Sequence, residues 1–123
     1  MLIREYMARL DGEDPRSAMD LVEEDVGFLL AIPAGKVGGA SREDLWSYVS
    51  RRPEVTRRHH IIRGSSEDDL EVAYGVVTDD GVETGAFLAS VRLSPSGLVQ
   101  RYLVYFDPDF RLFDADDIAL PES

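Results

Sequence analysis

The chain has two histidines, and they are adjacent: His59 and His60. Imidazole is the side chain whose unperturbed charge changes near neutral pH, so this pair is the first place to look for proton transfer. A strand turns successive side chains to opposite faces. The two rings therefore cannot share one metal ion, and at most one of them enters a buried site. His60 is the expected inward residue and candidate general base. The plain alternative is a histidine hydrogen-bonded where helix meets sheet. Tyr6, Tyr74 and Tyr102 can supply hydroxyl donors that converge on a ligand carbonyl and hold a developing oxyanion. Otherwise, aromatic residues at these spacings are core. Tyr6 is the second candidate catalytic residue.

Other chemistries find less support. No cysteine is present, which removes disulfides, thiolate metal sites and cysteine nucleophiles. Serine occurs without a Gly-x-Ser-x-Gly elbow. The glycines of the 33–39 segment lack a phosphate-cradling spacing, and no Gly-Lys-Ser or Gly-Lys-Thr follows. Glu67-Asp68-Asp69 and Asp79-Asp80 fall in turns and read as solvated. Asp107-Pro108-Asp109 follows the last strand, either as a turn or as a gate at a pocket mouth. No metal site and no cofactor are expected.

A net charge of −11 repels phosphate backbones, so nucleic acid is not an expected partner. One stretch runs against it. Between Arg51 and Arg63 stand Arg51, Arg52, Arg57, Arg58, Arg63 and both histidines, with Glu54 the sole acid. It reads either as an anion site or as a solvated helix end and strand edge. In the second case it can pair with Asp107, Asp109, Asp114, Asp116 and Asp117.

These residues need elements to position them. With 123 residues and a hydrophobic fraction of 44%, the chain is expected to be one globular domain over residues 1–110, with an acidic tail over 111–123. Ile3, Tyr6, Met7 and Leu10 form one apolar stripe, which predicts a helix over 2–11 stopped by Gly12. Asp14 as cap and Pro15 at the first position predict a second, short helix. A strand follows over 26–32, then a Gly- and Pro-containing loop over 33–39. Ser41, with Asp44 three residues on, starts a third helix that Pro53 ends. Strands are predicted over 58–64, 70–78, 84–93 and 98–106, with Gly- and Asp-bearing turns between them. Helices first and an antiparallel meander afterwards make an α+β fold.

Alternation assigns faces. The expected inner sets are Phe28, Leu30 and Ile32; Val72, Tyr74 and Val76; Phe87 and Ala89; and Tyr102, Val104 and Phe106. None of these is a carboxylate. Tyr6, Phe28, Leu30, Trp46, Tyr74, Phe87, Tyr102, Val104 and Phe106 are the expected lining of an apolar pocket. Both faces of the last two strands carry apolar residues, so the sheet needs two covers. The helices supply one, and a second copy of the chain, in a homodimer, is the expected other.

Three N-terminal helices interleaved with a strand, then a curved meander, resemble the SnoaL-like branch of the nuclear transport factor 2-like superfamily. The run Gly97-Leu98-Val99-Gln100-Arg101-Tyr102-Leu103-Val104-Tyr105-Phe106-Asp107 is similar to that family's last strand. Ile3-Arg4-Glu5-Tyr6-Met7-Ala8-Arg9-Leu10 is similar to its first helix. The resemblance spans residues 1–110. It implies a cone-shaped curved antiparallel sheet packed on three N-terminal helices around an internal apolar pocket. Relatives include ketosteroid isomerases, polyketide cyclases, limonene-type epoxide hydrolases, dehydratases and non-catalytic binding modules, so the fold does not choose an activity. Tyr6 matches the hydrogen-bond-donating tyrosine of the ketosteroid isomerases. The positions of their two acids fall on Ile32, before Pro33, and on Ala89, while the acid of the epoxide hydrolases falls on Val104.

The leading expectation is therefore a protein that binds a small hydrophobic molecule in an apolar cavity, without the carboxylates usual in these relatives. The alternatives are an isomerase, cyclase or dehydratase using His60 or tyrosine hydroxyls, and a dimerisation or protein-interaction module with a filled core. The N-terminus lacks a secretory pattern and no apolar run reaches the ~20 residues that cross a bilayer. No membrane association and a cytoplasmic location are expected.

Overall fold

The computed structural model describes residues 1–114; Asp116, Asp117 and most of the expected tail lie outside the described residues. Among the described residues the order is α1 (Leu2–Leu10), a 3-10 helix (Pro15–Leu21), β1 (Val22–Ile32), β2 (Gly35–Gly39), α2 (Arg42–Val49), β3 (Arg57–Glu67), β4 (Leu70–Asp79), β5 (Val82–Leu93) and β6 (Val99–Asp107). The strands form one sheet in the order β2-β1-β6-β5-β4-β3. The fold is α+β. β1 and β6 run parallel, and the other neighbours are antiparallel. Extra residues at Ile62 in β3, Thr84 in β5 and Gln100 in β6 shift the register and bend the sheet, and the helices sit in its concavity.

α1 buries its predicted stripe, Ile3, Tyr6, Met7 and Leu10. Its N-terminus is capped from a distance: the Glu71 carboxylate on β4 accepts hydrogen bonds from the amides of Leu2 (3.1 Å) and Ile3 (2.8 Å). A negative group suits the positive end of the helix, and the two otherwise orphan amides gain a charged acceptor. At the 3-10 helix, Pro15 takes the first turn, but Asp14 caps through its main-chain carbonyl, not its side chain. At α2 the Ser41 hydroxyl accepts from the Asp44 amide (3.1 Å) while the Asp44 carboxylate accepts from Ala40 N (3.2 Å).

Three expectations need correction. The first is the 33–39 loop, which is a turn followed by an edge strand. Gly35 has φ +133°, outside the usual range of L side chains, and a Cβ on Gly39 would sit 2.7 Å from the Phe28 ring. Glycine thus lets β2 lie close over β1.

The second is the inner face of β4. Ala73 and Val77 face the helices, with Glu71 beside them; Val72, Tyr74 and Val76 lie on the opposite side. The register confirms it, pairing Ala73 with Ala89 and Gly75 with Phe87. The inner face is crowded there: a Cβ on Gly75 would meet Phe87 Cζ at 2.7 Å. Small residues therefore go inside and bulky ones outside. An acid, Glu71, is also on this inner face, where none was expected.

The third is the histidine pair. His59 is opposite Val77 and faces inward; His60 is opposite Val76 and faces outward.

Candidate functional site

A cavity of about 620 Å³ lies between α1, α2 and the concave face of the sheet. Most of its wall is apolar. Met7 and Leu10 come from α1, Leu45 and Val49 from α2, and Leu30, Phe87, Val104 and Phe106 from the sheet. Of the expected lining residues, Tyr6, Leu30, Phe87, Tyr102, Val104 and Phe106 are brought together here. Three are not. Phe28 is buried in the core against β2. Trp46 is half-buried, with the Arg16 guanidinium 5.0 Å above its ring. Tyr74 is on the far side of the sheet, where its hydroxyl accepts a hydrogen bond from Leu112 N (2.8 Å).

The polar groups are few and specific. The Tyr6 and Tyr102 rings meet edge to face with centroids 5.4 Å apart. The Tyr6 hydroxyl is buried and has no hydrogen-bond partner among the described residues. Such a group costs about 1–3 kcal/mol when left unpaired. Burial pushes both phenols well above the ordinary tyrosine range, so they remain protonated donors.

His59 stands on the same wall. Its Nδ1 lies 2.8 and 3.0 Å from the two carboxylate oxygens of Asp11, and its main-chain N–H donates to the same carboxylate at 2.6 Å. The two side chains are 15% and 8% exposed. Phe87 presents a ring at 5.5 Å, tilted by 75°. Asp11 is the residue that ends α1, where its own amide donates to Met7 O (3.0 Å). Arg52 comes within 3.8 Å of Asp11 and donates to the Leu10 carbonyl, while Arg58 donates to the Asp11 carbonyl.

An ionised carboxylate only accepts. Nδ1 of the neutral ring therefore carries the proton and Nε2 the lone pair. Nε2 has no partner among the described residues. The imidazole is thereby held in one tautomer, with its lone-pair nitrogen unbonded, beside an apolar cavity. His60, the residue expected in this role, bonds Thr78 Oγ1 at 2.8 Å on the other face. Desolvation, above all, lowers its pKa. Among the described residues no three ligating groups cluster as a metal site would require.

Asp11 escaped the sequence reading because it lies at a helix end, not on a strand. One signal was present: an acid beside the negative end of a helix is unfavourable unless it has a partner. The basic run was visible, and the structure divides it. Arg51, Arg52 and Arg57 line the cavity, and Arg63 lies over the Phe113 ring at 4.8 Å. Asp107, one of the acids offered as a partner for the run, pairs elsewhere. That carboxylate accepts from Asp109 N and Phe110 N, and these bonds hold its pKa below the usual range.

No protein-family model and no curated protein matches the chain. Its likeness is to solved structures. A SnoaL-like family protein from Agrobacterium tumefaciens superposes with TM-score 0.72 and 12% identity, over 86% of this chain and 94% of that one. A nuclear transport factor 2-like protein of unknown function from Cytophaga hutchinsonii gives 0.67 and 20%, over 87% and 88%. An LEH-like epoxide hydrolase from M. tuberculosis gives 0.67 and 11%, over 86% and 80%. Identity this low carries no activity across, but it does carry architecture: the chain has the nuclear transport factor 2-like fold, as SnoaL-like and ketosteroid isomerase-like proteins do.

Proposed function

We propose that the cavity binds a small, largely apolar molecule bearing an oxygen function, and that His59, oriented by Asp11, moves a proton on it. The reaction class is isomerisation, cyclisation or dehydration. The observation that carries this reading is the Asp11 carboxylate on His59 Nδ1, at the wall of an apolar cavity.

The roles follow from the geometry. His59 Nε2 takes a proton from the carbon next to a carbonyl, so that an enolate forms. Asp11 then stabilises the imidazolium that forms. The Tyr6 and Tyr102 hydroxyls donate to the oxygen as negative charge develops there, in surroundings where water competes little. The same base returns the proton to a second carbon in isomerisation, to the departing hydroxyl in dehydration, or, in cyclisation, to the alkoxide left when the enolate carbon adds to a second carbonyl. Ile32 and Val104, which the resemblance sets at the acid positions of relatives, line the cavity; in this reading the base comes from β3.

A binding module without turnover is the second reading. It is favoured by the wall being apolar except for a few fixed donors. A filled core fits a cavity of about 620 Å³ poorly.

A thermal-shift screen with cyclic ketones and alcohols, with native mass spectrometry for a carried ligand, identifies binders. For a compound that turns over, His59→Gln and Asp11→Asn are expected to keep the thermal shift and to lower the rate by about 10²–10⁴-fold. Turnover untouched by His59→Gln would sink the catalytic reading. Binding without turnover of any binder favours the second.

A further inference from the structure

We propose that the cavity selects a molecule whose apolar body ends in a carboxylate, and that Arg51 at the rim recognises that group. The inference rests on the cavity being a small-molecule site.

The argument is one of local charge against overall charge. The chain carries a net −11, so most of its surface repels anions. The cavity is an exception. Its charged lining residues, among those described, are Arg51, Arg52 and Arg57, with His59 beside them and no Asp or Glu. Glu54, the sole acid of the 51–63 run, does not line it.

Two of the three arginines are already committed. Arg57 is held in a fork by Asp79, through bonds of 2.8 and 2.9 Å. Arg52 is tied to the Leu10 carbonyl at 3.1 Å and stands 3.8 Å from Asp11. Arg51 differs. Its protein contact is with a neutral group, the Ser47 hydroxyl at 3.1 Å, and no carboxylate among the described residues is within ion-pair distance. A guanidinium offers five N–H donors in a planar fork that matches a carboxylate.

Arg51 is also exposed, as are its cavity neighbours Pro33 and Pro53. A ligand entering with its apolar end first leaves its anionic end at this rim. The apolar body is desolvated there while the charge stays in contact with water, so recognition avoids the cost of burying an ion.

Calorimetric titration with 2-naphthoate and 2-naphthamide tests this directly, since the two share a ring system and a carbonyl and differ in charge. Wild type is expected to bind the acid about 5–10-fold more tightly than the amide at low salt, and added salt should erode the difference. Arg51→Gln should abolish the preference, with acid binding falling to the level of the amide. Equal binding of the two by wild type overturns the proposal and leaves the apolar site standing. A preference that survives Arg51→Gln also overturns it. Failure of both probes to bind removes the cavity reading and this one with it.

Discussion

His59 and His60 are covalent neighbours in opposite surroundings. One is held by Asp11 and touched by Phe87 at the wall of a cavity; the other bonds Thr78 across the sheet. What separates them is a single step of strand parity. That step could not be read from the local sequence, because Arg57 to Ile62 alternates no clear apolar and polar faces. Tyr6 is a simpler case. Its place on the α1 stripe follows from 3.6-residue periodicity, and its buried, unpartnered hydroxyl is a cost the folded protein carries until something accepts from it. Asp11 fixes the ring of His59 in a defined tautomer, with Nδ1–H donated and Nε2 bare. The proposed chemistry depends on that assignment.

At the scale of elements, legibility followed contrast. β5 and β6 carry apolar residues on both faces, but Arg92 and Arg101 mark the outer one, and Phe87, Tyr102 and Val104 face the cavity as their alternation says. β4 is apolar on both faces. Its direction shows in what lies beside it: a Cβ on Gly75 would meet the His60 carbonyl and the Phe87 ring, and Ala73 pairs with the buried Ala89. β2 was hidden because glycines read as a loop, whereas here they permit close approach to Phe28.

The α1–β4 contact also anchors the site, since Tyr6 is on α1 and Asp11 caps its end. Glu71 holds its N-terminus through two charge-assisted bonds. Glu71→Gln retains the shape and weakens those bonds, so a loss of about 1–3 kcal/mol in urea denaturation is expected. An unchanged midpoint would mean that α1 is held by packing alone.

At the scale of the molecule, the helices cover one face of the sheet and leave apolar residues on the other. Leu88, Leu103 and Tyr105 are 48%, 53% and 56% exposed. They lie together because Leu88 pairs with Tyr105 across β5 and β6, with Leu29 opposite Leu103 on β1. These are central strands, so the patch is broad rather than a fringe. We propose that a second copy covers it. Light scattering at micromolar concentration should then give twice the chain mass, and Leu103→Glu should give a monomer with unchanged circular dichroism. Added salt should favour the pair, because two chains of −11 repel. A wild-type monomer at that concentration removes the idea. Among the described residues no helix is long and apolar enough to cross a membrane.

The central claim is that Asp11 fixes His59, a cavity-wall residue, in the tautomer with Nε2 bare, and the imidazole ¹⁵N shifts report this without any substrate. Long-range ¹⁵N–¹H correlation spectra in alkaline buffer, where the rings are neutral, should show His59 protonated at Nδ1 and bare at Nε2. The Asp11→Asn protein should lose that preference. A wild-type His59 carrying its proton on Nε2 would contradict the account.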